Sequence, residues 1–277
     1  MNINKFLKEK GYEIDQKINF FGLVDSKNKR TLSYLIDEKY IEKVNTNDNV
    51  VFVLCNDELK DRVKKPHLVL DNPLVFFLLY NEFSRINNSE DRETIIEDLD
   101  LISEESYIHS KNVYIGKNTR IHPNVTILSD VYLAEDCEVL PGAVIGSDGA
   151  EFKKISGELH SIVHNGKVII GKNVTIGANT CIDKGLFGDT IISDNVKIDN
   201  LCHIAHNVQI EKNCIILANS TICGSTKVDE NTWISPSATL INGIKVAMNN
   251  VIGLGSVLFK STRKNEVYLG NPTRRIK

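Results

Sequence analysis

The stretch KIDNLCHIAHNVQI, residues 197–210, sets Ile198, Ile204 and Ile210 six residues apart and places Cys202, His203, His206 and Asn207 between them. The spacing continues in both directions. Ile192 precedes it, and Ile216, Ile222, Val228, Ile234, Leu240, Val246, Ile252 and Leu258 follow in the same register. An earlier block runs Ile115, Ile121, Ile127, Leu133, Val139 and Ile145, and a short one, Ile170, Ile176 and Ile182, lies between the two. A period of six is neither the 3.6 of a helix nor sustained alternation. It predicts a hexapeptide-repeat parallel β-helix, in which three short strands make one coil and each aliphatic anchor stacks on the anchors of neighbouring coils. GKN (116–118 and 171–173) and DEN (229–231) are predicted to turn the corners.

The repeat breaks twice. Between Ile145 and Ile170 the segment GSDGAEFKKISGELHSIVHNGKVI must leave the coil, giving a loop over 147–167. Four residues are added around DKGLFGDT between Ile182 and Ile192. Insertions in solenoids gather on one face and tend to serve binding. Before residue 105 the period is absent. INFFGLVDS, TLSYLI, NVVFVLCN and HLVLDN read as strands, and DNPLVFFLLYNEFSRI as a helix with Asn72 as N-cap and Pro73 at the first helical position. The expected division is a small α/β domain over 1–104, with NNSEDRETIIEDLD as linker, and a β-helix domain over 105–277 with a short C-terminal tail.

The 277 residues are 42% hydrophobic and 25% charged, ordinary values for a globular chain. A net charge of -3 gives no overall attraction to nucleic acid or anionic membrane. No apolar run reaches the roughly 20 residues of a membrane span, and the start has no secretory pattern, so a cytoplasmic protein without membrane insertion is expected. The six cysteines have no CxxC spacing, which leaves a zinc ribbon unsupported. Cys137, Cys202 and Cys214 each precede an anchor by two positions and read as small, reduced fillers.

IDNLCHIAHNVQI, with VIGSDG before the loop and GKVIIGKNVTIGANTCIDKG after it, closely resembles the UDP-3-O-acylglucosamine N-acyltransferases of lipid A synthesis. TLSYLIDEKYIEKV looks like that family's nucleotide-binding segment, so the likeness covers most of the chain. The resemblance implies a left-handed β-helix, a homotrimer with clefts between copies, and attack by a sugar amine on an acyl thioester. It places His206 at the catalytic histidine. An ammonium has no lone pair, and imidazole titrates in the range where it can hold the proton. Asn207 would orient that ring or a substrate oxygen. A histidine taken alone would more often cap a corner; the matched motif favours the base, with His203 as support or surface.

By the same resemblance, Tyr34 and Tyr40 would sandwich the base of the nucleotide, uracil or thymine alike, with Asp37 between them where the family often has Asn. A core tyrosine pair is the plain alternative. His164 would touch sugar or phosphate, with His160 a weaker candidate. Gly253 and Gly255 resemble turns that meet a pantetheine arm, and Arg274 and Arg275 of GNPTRRI would pair with coenzyme A phosphates.

Three departures from the family pattern are visible. The sequence ends after the arginine pair without the family's helical extension. AEFKK stands where an aromatic- and glycine-rich stretch is usual, and Ile244 stands where a second histidine falls. They led to the expectation of a short acyl group carried by acyl-CoA (acetyl or a short hydroxyacyl) to a dTDP- or UDP-linked amino-deoxy sugar for surface glycans. The carrier-protein-dependent lipid A enzyme is the alternative. Two other classes stay open: a zinc hydratase on the same fold, disfavoured by the spacing of His203 and His206, and a non-catalytic solenoid. No metal is expected.

Overall fold

The computed structural model describes residues 1–87 and 91–276, so 88–90 of the expected linker and Lys277 lie outside the described residues. The chain forms two compact units, Met1–Glu90 with Ala150–Val163, and Asp91–Gly149 with His164–Lys277.

In the first unit, α1 (Ile3–Glu9) starts where the Asn2 side chain accepts the N–H of Lys5 at 2.8 Å. Strands β1 (Phe20–Phe21), β2 (Thr31–Leu35), β3 (Val50–Cys55) and β4 (His67–Val69) form a parallel sheet in that order. The short α2 (Ile41–Thr46) buries Ile41 and Val44 with Val50, Val53 and Cys55. Asn72 caps the turn that enters α3 (Val75–Ile86), its side chain accepting the N–H of Leu74.

The inserted segment is a hairpin. Phe152–Ile155 pairs antiparallel with Glu158–Ser161, and Asn81 of α3 holds it, donating from Nδ2 to the Ser161 carbonyl at 2.8 Å and accepting the Val163 N–H at 2.9 Å. Lys153 Nζ lies 5.0 Å from the centre of the Phe77 ring. Residues 150–163 therefore belong with the N-terminal unit, not with the coil that emits them.

The second unit is the expected β-helix. Three sheets of 8, 9 and 8 strands, parallel except for the final Arg274–Arg275 strand, run its length, and every anchor from Ile115 to Leu258 named above is buried in one aliphatic column. The coil starts earlier than expected. Ile95–Ile96 pairs with Tyr114 and Ile115, Ile102 bridges Ile121, and Ile108 pairs with Ile127. Ile96, Ile102 and Ile108 are themselves six apart; a seven-residue step to Ile115 hides them from a strict count. The boundary at 104/105 thus falls inside the first coil, and the expected linker contains the strand Ile95–Ile96, the bridge of Glu93 to Lys111 and the start of the 3-10 helix Leu99–Leu101.

Corners need a left-handed backbone, which costs least for Gly and Asn. Asn173, Asn195, Asn213 and Asn231 all take φ between 54° and 61°. Their amides form a ladder from coil to coil, Nδ2 to Oδ1, at 3.0, 2.9 and 3.1 Å. The position two before each anchor has its own job. Thr119, Thr180, Ser220 and Thr226 donate there to carbonyls of the following coil at 2.9, 2.7, 3.1 and 2.9 Å. Cys202 and Cys214 do the same with Sγ–H, at 3.2 Å each. These cysteines fill space and also satisfy a carbonyl, and burial pushes the Cys214 thiol up to about 11. At the C-terminal end, Val267–Leu269 adds to one sheet and Arg274–Arg275 folds back on it antiparallel.

Each anchor supports the coils on either side, so truncating one in mid-column opens a cavity that neighbours cannot fill. Ile216→Ala should cost about 2–5 kcal/mol, read as an earlier denaturant midpoint than wild type. Truncating the exposed Leu201 should change the midpoint little.

Candidate active site

His206 sits two residues past the anchor Ile204, at a corner. Asn207 follows it with φ 60°, and its side chain is fixed at both ends. Nδ2 donates to the Gly188 carbonyl at 2.8 Å, and Oδ1 accepts the Leu186 N–H at 2.9 Å. The Asn207 N–H donates to Thr190 Oγ1 at 2.9 Å. The insertion over 183–189 is therefore clasped by Asn207. His206 Nδ1 lies 3.1 Å from the same Oδ1. An amide oxygen only accepts, so in the neutral ring Nδ1 is the protonated nitrogen and Nε2 keeps the lone pair.

Beside that lone pair stands Gly224, one coil further on. A methyl group there would lie 2.7 Å from both Nε2 and Cε1 of His206. Any side chain at 224 would press on the reactive edge of the ring. His164 packs on the other side, its ring centre 5.4 Å from that of His206 at 70°, and it is 1% exposed. His206, Asn207 and His164 are thus assembled in one place. His203 points to Asp183, with Nε2 3.5 Å from Oδ2. His160 lies on the hairpin of the first unit, 3.9 Å from Glu158.

Tyr34, Asp37 and Tyr40 belong to the first unit. The Tyr34 ring sits 5.2 Å from Phe76 and 5.0 Å from Phe77. Burial, then the nearby Glu151 and Tyr40, push its hydroxyl up to about 12. Tyr40 is exposed, with Lys39 Nζ 4.8 Å from its ring centre. Asp37 accepts the Lys39 N–H at 3.0 Å and pairs with its ammonium at 2.7 Å, which holds the carboxyl below its usual range.

The four residues expected to hold coenzyme A do not join the histidines. Val257–Leu258 lies three strands along the sheet from His203–Ile204, roughly 14 Å at the spacing of paired strands. Gly253 donates its N–H to the Tyr268 carbonyl at 2.8 Å, and Gly255 makes a corner with φ 61°. Arg275 pairs with Glu266 at 2.9 Å, and Arg274 lies in the closing strand. Gly253, Arg274 and Arg275 thus close the end of the column, and Gly255 turns its last coil.

Sequence reasoning missed Gly224, Asp183 and Ser147. Gly224 was findable as the residue three hexapeptides beyond His206. Asp183 stands just after the anchor Ile182 in a quoted segment, but nothing in that segment signals its burial. Among the described residues no three His, Cys, Asp or Glu side chains gather as metal ligands, and no helix is long and apolar enough to cross a membrane.

Residues 112–147 and 189–224 match the bacterial transferase hexapeptide family (six repeats). The solved UDP-N-acetylglucosamine acyltransferase of Bacteroides fragilis is 24% identical with a TM-score of 0.53, covering 62% of this chain and 72% of that one. That of Francisella novicida is 20% identical with a TM-score of 0.55, covering 60% and 66%. Fold and repeats together define a hexapeptide-repeat protein built as a left-handed parallel β-helix. A Fusobacterium nucleatum relative is 33% identical over 244 residues, 74% of this chain and 69% of its own length. The chain belongs to its family, the UDP-3-O-acylglucosamine N-acyltransferases.

Relatives of the same name occur in Caulobacter sp. strain K31, 38% identical over 136 residues (49% of this chain, 40% of the relative), and in Maricaulis maris, 49% identical over 108 residues (39% and 31%). The chain spans less than half the length of these two.

This family corrects the expectation of a short-acyl, CoA-dependent enzyme acting on an amino-deoxy sugar. The departures behind that expectation have structural causes instead. Ile244 packs into the aliphatic column, and AEFKK leads into the hairpin held by Asn81. Where the sequence stops says nothing about the donor.

Asn207→Gly removes the clasp without straining the corner, since glycine accepts φ 60°. Amide exchange at Leu186 should accelerate by at least tenfold as its acceptor is lost, while exchange at Ile216, in mid-column, should stay as in wild type.

Proposed function

We propose that the chain is an N-acyltransferase that moves an acyl group from the thioester of an acyl carrier protein to the amine of a UDP-linked 3-O-acylglucosamine. The observation that carries this reading is the tautomer of His206. Asn207 Oδ1 takes the Nδ1 proton, leaving Nε2 as the acceptor beside Gly224. The names of the family's members supply the acceptor.

In this mechanism the amine attacks the thioester carbonyl while His206 Nε2 takes a proton from nitrogen. The C–N bond forms, a tetrahedral oxyanion collapses, the C–S bond breaks, and the proton passes to the departing thiolate. Asn207 keeps the ring from rotating as it becomes charged, because its oxygen remains a good partner for Nδ1–H. His164 packs on the ring and limits water around it. Tyr40, with an exposed ring, stacks on the uracil, and Tyr34 borders it from the aromatic cluster of Phe76 and Phe77. Asp37 shapes the same segment through Lys39. Three copies would set the polar face of one coil against a neighbour's wall.

His206→Ala should lower kcat by roughly 10²–10⁴-fold with UDP-sugar affinity unchanged. An unchanged rate would assign the base to the substrate or to another group. Gly224→Ala should reduce kcat to a similar extent with no change in unfolding. Acyl carrier protein and acetyl-CoA offered in parallel test the donor: transfer from acetyl-CoA alone would overturn the reading. Tyr40→Ala should raise KM for the UDP-sugar about tenfold, as expected for the loss of one stacking face.

A further inference from the structure

Asp183 takes no part in the proton transfer described above, yet it is a buried carboxylate at the edge of that site, 6% exposed. It ends the strand Cys181–Asp183, and the pairing of Ile182 with Ile204 in the next coil sets it alongside Ala205, the residue before His206. In the coil before it the register shifts at Gly146, whose φ of 93° suits glycine. That bulge brings Ser147 opposite Asp183. Ser147 Oγ donates to Oδ1 at 2.9 Å, and from the coil after it His203 Nε2 lies 3.5 Å from Oδ2.

Burial raises the Asp183 carboxyl above its usual range. The Ser147 hydrogen bond pulls it down, followed by the imidazoles of His203, His206 and His164. Such coupling runs both ways: an imidazolium that favours the carboxylate is favoured by it in turn. The remaining charged or titratable neighbours are few. Lys184, next in the chain, is paired with Asp148 at 3.1 Å. Cys181 shares the strand, and burial followed by Asp183 itself raises its thiol. Asp189, at the end of the insertion, accepts the Lys167 N–H. Asn207, bonded to the far nitrogen of His206, is neutral.

We infer that Asp183 is a positioning residue for acyl transfer, its carboxylate, clamped by Ser147 and His203, offsetting the positive charge that His206 acquires on taking the proton of the amine. The inference rests on the proposed role of His206 as base. Asn207 fixes the ring without supplying charge; Asp183 supplies charge without touching the reacting atoms. Sheltered from water, a carboxylate acts on a nearby imidazolium more strongly than it would at the surface.

The test is Asp183→Asn in the full chain, which keeps shape and an acceptor for Ser147 but removes the charge. Two readings are taken: the titration of the His206 ring by NMR, without substrate, and the pH dependence of kcat/KM. Loss of the negative charge should move the His206 ring titration toward lower pH, read as a displaced midpoint against wild type. The acid limb of kcat/KM should move the same way, and kcat on the plateau should fall about tenfold. Ser147→Ala raises the proton affinity of Asp183 and should shift both readings in the same direction by less. A folded Asp183→Asn protein whose His206 titration and acid limb match wild type overturns the inference. If that variant does not fold, an unmoved titration in Ser147→Ala overturns it equally. The ring titration needs no substrate, so failure of the native chain to acylate a UDP-sugar refutes the proposed function and leaves this reading to be judged separately.

Discussion

The structure depends on coil-to-coil stacking of aliphatic side chains inside a narrow prism. Each anchor is buried only because the coils before and after it present anchors in the same register. That constraint dictates the rest. Corners must fall at fixed intervals, so left-handed residues recur beside the anchors, and the asparagines that fill several of them bond to one another along the edge. The small position two before an anchor either joins the apolar column, as Val174, Val196 and Ala238 do, or satisfies a carbonyl of the following coil through Thr, Ser or Cys.

A stiff prism leaves little freedom for catalysis except at places where the repeat is broken. Both breaks are used. The segment 183–189, where four residues are added to the period, is pulled against Asn207, which couples the orientation of His206 to the loop. The register shift at Gly146 turns Ser147 toward Asp183 instead of leaving it at an ordinary corner. The clustered polar side chains gather where the backbone departs from its period, while the regular coils on either side hold those departures in place.

The column was legible because an aliphatic period of six has one structural solution. The strands of the N-terminal unit and α3 were legible from apolar runs and the Asn72–Pro73 start. Two things were not. A seven-residue step before Ile115 concealed the first coil, whose Ile96, Ile102 and Ile108 hold the period among polar neighbours that resembled a linker. The hairpin over 150–163 gave no sign of its place, because Asn81 holds it through backbone groups of Ser161 and Val163, and backbone partners leave no trace in side-chain pattern. The sequence named His206 and Asn207 from their motif and His164 from the loop, and the structure brings these three side chains together. Asp183 was not legible, because its burial depends on neighbouring coils, and Gly224 stood in view only as a position three hexapeptides beyond His206, its contact with the ring being made across coils. The expectation of a short-acyl enzyme acting on an amino-deoxy sugar drew in part on Ile244, which is a packing residue of the column.

The 18-residue circuit has an evolutionary implication. His206 and Gly224 are one lap apart in sequence and adjacent in space. Duplicating or deleting a whole lap beyond Gly224 would lengthen or shorten the molecule by about 4.8 Å and leave this pocket unchanged. Gaining or losing one hexapeptide would instead rotate everything downstream by a third of a revolution. Length in such a protein is therefore quantised, with the His206 corner as a fixed origin and the strand Arg274–Arg275 displaced from it in whole steps.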